Sequence, residues 1–188
     1  MNRTMLVEID APTVTAYLDR VTPWLRTTRT LQSAYRKMLE DTADEVGEPH
    51  IRAWLHEIAD AARRHEAAVE DLYGAFGQES KKRPGTAGSD TPVVPTVLAT
   101  ARELIGEVQG LGAGARGRTW RHMRVLLLSN LDAISGFAVA EQLGLTLARP
   151  AVIDITFPIV AEKSRHQLLI RECYLEMAAK AILYRSDV

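Results

Sequence analysis

The chain has 188 residues, 23 Lys and Arg against 24 Asp and Glu, and 46% hydrophobic residues, the balance of an ordinary soluble domain. A lone cysteine, Cys173, leaves no intrachain disulfide and no cysteine zinc site. The near-neutral charge gives no footprint for nucleic acid, no apolar run approaches the ~18 residues of a membrane span, and Met1 to Asp10 lacks a signal pattern. The expectation is a cytoplasmic protein with no nucleic-acid or membrane partner.

Aromatic residues are scarce, whereas Ala, Leu, Arg and Glu are plentiful, which favours an all-α chain folded as one domain over residues 1–188. Asp10-Ala11-Pro12 reads as a helix start, with a short helix or arm reaching Val21. Thr22-Pro23 follows, where Pro23 either kinks one helix or opens another. A long helix then runs to Glu45 with Val21, Leu25, Thr28, Gln32, Tyr35 and Leu39 on one stripe. Gly47-Glu48-Pro49 separates it from a helix over 49–76, which stops at Gly77. The stripe of this second helix is Ile51, Leu55, Ile58, Ala62, His65, Val69, Leu72 and Phe76, spaced four, three, four, three as in a bundle seam.

Residues 78–95 form a polar linker rich in Gly, Pro and Ser. A short helix is expected over 95–109, and the glycine-rich stretch 110–117 reads as a loop, since no strand precedes it and no Gly-Lys-Ser/Thr ends it. A helix over 117–143 carries Met123, Leu127, Asn130, Ile134, Phe137 and Glu141 on its stripe. The β-branched run from Val152 to Val160 has no partner strand in the chain, and a lone strand is unstable. It therefore opens a last helix reaching about Tyr184, with Ile155, Ile159, Glu162, His166, Leu169 and Cys173 inward. Two short-turn hairpins joined by one long crossover give a four-helix bundle of ferritin-like type, the alternative being a plain up-down bundle with the helix over 95–109 as a full member.

The segments HEIADAARRHEAAVEDLYGAFG, SNLDAISGFAVAEQLG and AEKSRHQLLIRE resemble the ferritin-like superfamily, and within it the bacterial stress-induced branch. A di-iron member supplies a Glu from each of two helices and a Glu-x-x-His from each of the other two. Here Ala62 stands three before His65, and Lys163 three before His166 with Glu162 at four. Asn130 occupies a Glu position, and the first long helix offers Thr28 and Gln32. The resemblance thus implies a degenerate di-metal site.

Every seam turns polar near its middle, and in an antiparallel bundle the middles meet. One reading is a single-metal centre. His65, His166 and Glu162, with Asn130 beside them, make a two-His, one-carboxylate set suited to iron or manganese ahead of zinc. Glu162 and His166, four apart, share a helix face. The other reading is a metal-free hydrogen-bonded network in a non-catalytic stress-response or interaction protein, with buried polar groups fixing register. A haem-like or fatty-acyl ligand is disfavoured by only three Phe. His50, His56 and His122 are expected at the surface and Cys173 in the core. Ferritin-like bundles self-associate, which points to a homodimer.

Overall fold

The computed structural model describes residues 11–78 and 118–183. They form four helices: α1, Ala11–Glu45; α2, Pro49–Ala75; α3, Arg118–Thr146; and α4, Pro150–Ile182. Among the described residues there is no strand. The expected linker after Gln78, the short crossover helix and the glycine-rich loop lie outside the described residues.

α1 is one helix of 35 residues with Pro23 inside it, so of the two readings of Pro23 the continuous helix is the one found. An interior proline removes a helix hydrogen bond and costs about 3 kcal/mol. Val21 and Leu25, on either side of it, are buried against the other helices, and that burial offsets the defect. α2 opens with Pro49 in its first turn, where a missing N–H is harmless. It ends at Gly77, whose φ of +72° suits a residue without Cβ. The run from Val152 to Val160 is helical within α4, because no neighbouring strand exists to take its backbone groups.

Each helix packs on two others: α1 on α2 and α3, and α4 on α2 and α3. The contacts pair rising positions with falling ones. Along α1 and α2 they run Thr22–Gln78, Arg29–Glu70, Arg36–Glu66 and Glu40–Arg63. Along α3 and α4 they run Trp120–Tyr174, Asn130–Gln167 and Glu141–Thr156. The α1–α3 contact is close. A Cβ on Gly136 would lie 3.1 Å from Thr28 Cγ2, and Trp24 Nε1 donates to the Gly136 carbonyl at 3.2 Å. At the α3–α4 turn a Cβ on Gly144 would fall 2.7 Å from Val152, so only glycine fits there.

The core has two apolar clusters. One surrounds Leu39, Ile51, Leu55, Met123, Ile170 and Met177 at the α1–α2 turn. The other surrounds Leu25, Leu72, Phe76, Phe137 and Val152 at the α3–α4 turn. Between them lie buried polar side chains: Thr28, Gln32, His65, Asn130 and Lys163. The stripes expected on α1 and α2 are the buried ones. On α4 the inner face is turned by about one residue and comprises Val152, Thr156, Ile159, Lys163, Ile170, Cys173 and Met177. By length and composition, residues 119–146 of α3 also suffice to cross a membrane; Asn130 and Asp132 interrupt that apolar character in the sequence.

A polar centre between the four helices

His65 projects from the buried seam of α2 and Glu162 from the flank of α4. Their side chains meet, with His65 Nε2 2.7 Å from Glu162 Oε2. Arg64 holds the second oxygen, Oε1, at 3.2 Å. Burial pulls the His65 imidazolium down to about 4, against the pull of the Glu162 hydrogen bond. The ring is therefore neutral at pH 7, and Nε2–H donates to the carboxylate. Burial pushes the Glu162 carboxyl up, but the hydrogen bond from His65 and the nearby cationic groups override it and hold it below the usual range.

With Nε2–H committed to Glu162, Nδ1 of His65 keeps a bare lone pair, and it is buried without a partner. Two amides are fixed in the same way. Gln32 Nε2 donates to the Ala62 carbonyl at 2.8 Å. Asn130 Nδ2 donates to the Lys163 carbonyl at 3.1 Å and to Gln167 Oε1 at 2.8 Å. Since carbonyls can only accept, the amide nitrogens must face them. Gln32 Oε1 and Asn130 Oδ1 are left buried and unpartnered.

Lys163 is the residue that pattern reading missed. It lies wholly inside the bundle, 0% exposed. Nζ stands 4.3 Å from the centre of the Tyr35 ring and 5.9 Å from that of Phe137. It makes no hydrogen bond, and the Tyr35 hydroxyl is likewise buried and unpartnered. Burial lowers the ammonium to about 7, with Glu162 pulling the other way. Burial also raises the Tyr35 phenol, which stays protonated. The signal for Lys163 was present in the spacing of Val152, Thr156, Ile159, Ile170, Cys173 and Met177 around it, a heptad frame with a lysine at one inner position.

The four residues singled out from the sequence thus fare differently. His65 and Glu162 touch. His166 is half-buried, with its ring centre 6.5 Å from that of His65, and burial lowers its imidazolium. Asn130 is fully buried but turns its amide nitrogen to α4. Among the described residues no three His, Cys, Asp or Glu side chains converge as a metal-ligand group.

The donor set fits a divalent ion poorly. Both imidazoles sharing one ion would put each nitrogen near ~2.1 Å from it, but His65 already gives its outward nitrogen to Glu162. When charged, Lys163 opposes protonation of both His65 and His166. The layer holds three orientation-fixed acceptors, one hydroxyl and one amine, all buried and without hydrogen-bond partners.

Cys173 is buried, and burial raises its thiol to about 11, so it packs as an apolar residue. His50 and His56 are exposed and His122 partly so; all three lie near surface carboxylates. Set against protein-family models, curated proteins and solved structures, the chain finds no match in any of the three.

Proposed function

We propose that this chain is a ferritin-like bundle of two antiparallel hairpins whose centre is metal-free and organised by Lys163, and that it acts as a homodimeric stress-response or interaction protein rather than as a ferroxidase or iron store. The observation that carries the reading is the buried Lys163 amine, three residues before His166, on the inner face where a di-iron bundle presents Glu. The opposed order of contacts between α1 and α2 and between α3 and α4 supports the hairpins. Gln78 lies beside Thr22 and His122 beside Glu45. The end of α2 and the start of α3 are thus at opposite ends of the bundle, as a long crossover requires. Exposed Phe157, Leu168 and Leu175 on α4 support use of the surface, since apolar side chains grouped in the open favour contact with a partner.

Metal analysis of protein expressed in iron- and manganese-supplemented medium tests the centre. Far less than one ion per chain is expected. Close to one ion per chain, lost in His166→Ala, overturns the reading in favour of the His65, Glu162, His166 centre. Light scattering at micromolar concentration tests the homodimer, and a strict monomer removes that part.

A further inference from the structure

A buried lysine that serves packing is ordinarily paired with a carboxylate or with hydrogen-bond acceptors. Lys163 is not. Its sequence neighbour Glu162 turns away from it, to His65 and Arg64. Nζ faces aromatic carbon and shares its layer with four other buried polar atoms that lack partners: Tyr35 Oη, His65 Nδ1, Gln32 Oε1 and Asn130 Oδ1. The four come from three different helices, and three of them are held in orientation by bonds on their far side. This set has one nucleophile, one hydroxyl donor, one lone-pair base and two carbonyl acceptors.

Resting on the metal-free reading above, we propose that this layer is a carbonyl-capture site, in which Lys163 condenses with a small hydroxyaldehyde or hydroxyketone to form an imine. The nitrogen lone pair adds to the carbonyl carbon. The carbonyl oxygen takes a proton, water leaves, and a C=N bond remains. One amine and one carbonyl give one imine and one water, and no oxidant or reductant is consumed. Tyr35 O–H supplies the hydrogen bond that polarises the carbonyl oxygen. His65 Nδ1 accepts the proton that the nitrogen sheds. Gln32 Oε1 and Asn130 Oδ1 can only accept, so they select a substrate that carries hydroxyl hydrogens next to its carbonyl. On the α2–α4 side the layer is covered by the Glu162 side chain, 28% exposed and bonded to His65.

Full-length protein is incubated at pH 7 with glycolaldehyde and cyanoborohydride, which reduces any imine to a stable amine, and the labelled lysines are mapped by mass spectrometry. Lys163 is expected to be labelled at least about ten-fold ahead of Lys37 and Lys180. Labelling of Lys37 and Lys180 with Lys163 untouched or no faster overturns the proposal. Tyr35→Phe, which keeps the ring and the lysine, is expected to slow labelling of Lys163 by about 10- to 100-fold and to leave Lys37 and Lys180 unchanged. An unchanged rate at Lys163 overturns the role of the hydroxyl. Metal content is measured on the same preparation. A metal-free protein with Lys163 unlabelled defeats this inference alone, whereas a stoichiometric ion defeats the reading on which it rests.

Discussion

The apolar cluster around Leu55 and the polar layer around Lys163 occupy one bundle, two to three turns apart, and they are built differently. In the cluster, Leu39, Ile51, Leu55 and Met123 are fully buried and every contact is non-directional, so stability follows the volume filled. In the layer, Gln32, His65 and Asn130 are equally enclosed, yet each satisfies one polar atom and strands another. A buried polar atom without a partner costs about 1–3 kcal/mol. The molecule thus carries a stabilising cluster at each end and a destabilising plane between them.

Four measurements put the difference between cluster and layer to the test. The largest effect is expected in the cluster. Leu55→Ala leaves a cavity in close-packed surroundings and should cost about 2–5 kcal/mol, read as a lower denaturant midpoint at unchanged slope. A loss below about 1 kcal/mol would show that this end is not tightly packed.

Lys163→Met should act in the opposite direction. It exchanges an unpaired buried amine for an apolar chain of similar length, and about 1–3 kcal/mol of added stability is expected at pH 7. In a chain of this size that raises Tm by roughly 2–4 °C per kcal/mol. A fall in Tm would mean that Lys163 has partners that the contrast denies it.

The pH profile is the third measurement. The Lys163 ammonium is lowered in the fold from 10.5 to about 7, so between those values the unfolded chain binds more protons than the folded one. Stability should therefore climb as pH rises through this window, with a contribution of up to about 1.4 kcal/mol per unit, and the penalty is complete below it. Lys163→Met should lose this climb. His65, lowered from 6.5 to about 4, acts on the acid side: stability falls as pH drops from 6.5 toward 4. A wild-type profile identical to that of Lys163→Met between pH 7 and 10 would contradict the burial of the amine.

The smallest effect is expected at Asn130→Leu. The change removes the bonds to the Lys163 carbonyl and to Gln167, and also the stranded Oδ1. A net loss of about 1 kcal/mol is expected, a fall of a few degrees in Tm. A rise would show that the layer is ordinary packing at that position.

The inner faces of α1 and α2 were legible from the sequence because their stripes obey a single rule, with apolar residues at four-three spacing and polar ones elsewhere. α4 was legible as a helix but not in its rotation. Ile159 and Cys173 belong to two overlapping stripes. One runs through Ile155, Glu162 and Leu169, the other through Val152, Thr156, Lys163 and Ile170. Pattern reading sends a lysine to water, and that choice turned the helix by one position. It places Glu162 inward and Lys163 outside, while His166, like Ile159 and Cys173, lies on both stripes. The meeting of His65 with Glu162 was still anticipated, because a long carboxylate on the flank reaches the seam. Pro23 was ambiguous for a similar reason: local chemistry favours a break there, and the burial of Val21 and Leu25 on both sides decides for continuity. What the sequence could not carry was which amide atoms are pinned, since that depends on backbone carbonyls of other helices.

Trp24 of α1, bonded to α3, and Trp120 within α3 give the molecule a pair of optical reporters. Trp24 donates to the Gly136 carbonyl near the α3–α4 turn. Trp120 donates to the Tyr174 carbonyl and stacks on the Tyr174 ring, 5.0 Å between centres and 9° from parallel, at the far end of the same helix. Trp54, about one-third exposed beside His50, contributes a background already close to that of water. Single-tryptophan variants would therefore let emission wavelength follow each end of the bundle separately during denaturation. Coincident curves would mean that the polar plane transmits unfolding across itself. Separated curves would mark it as the place where the molecule comes apart in two stages.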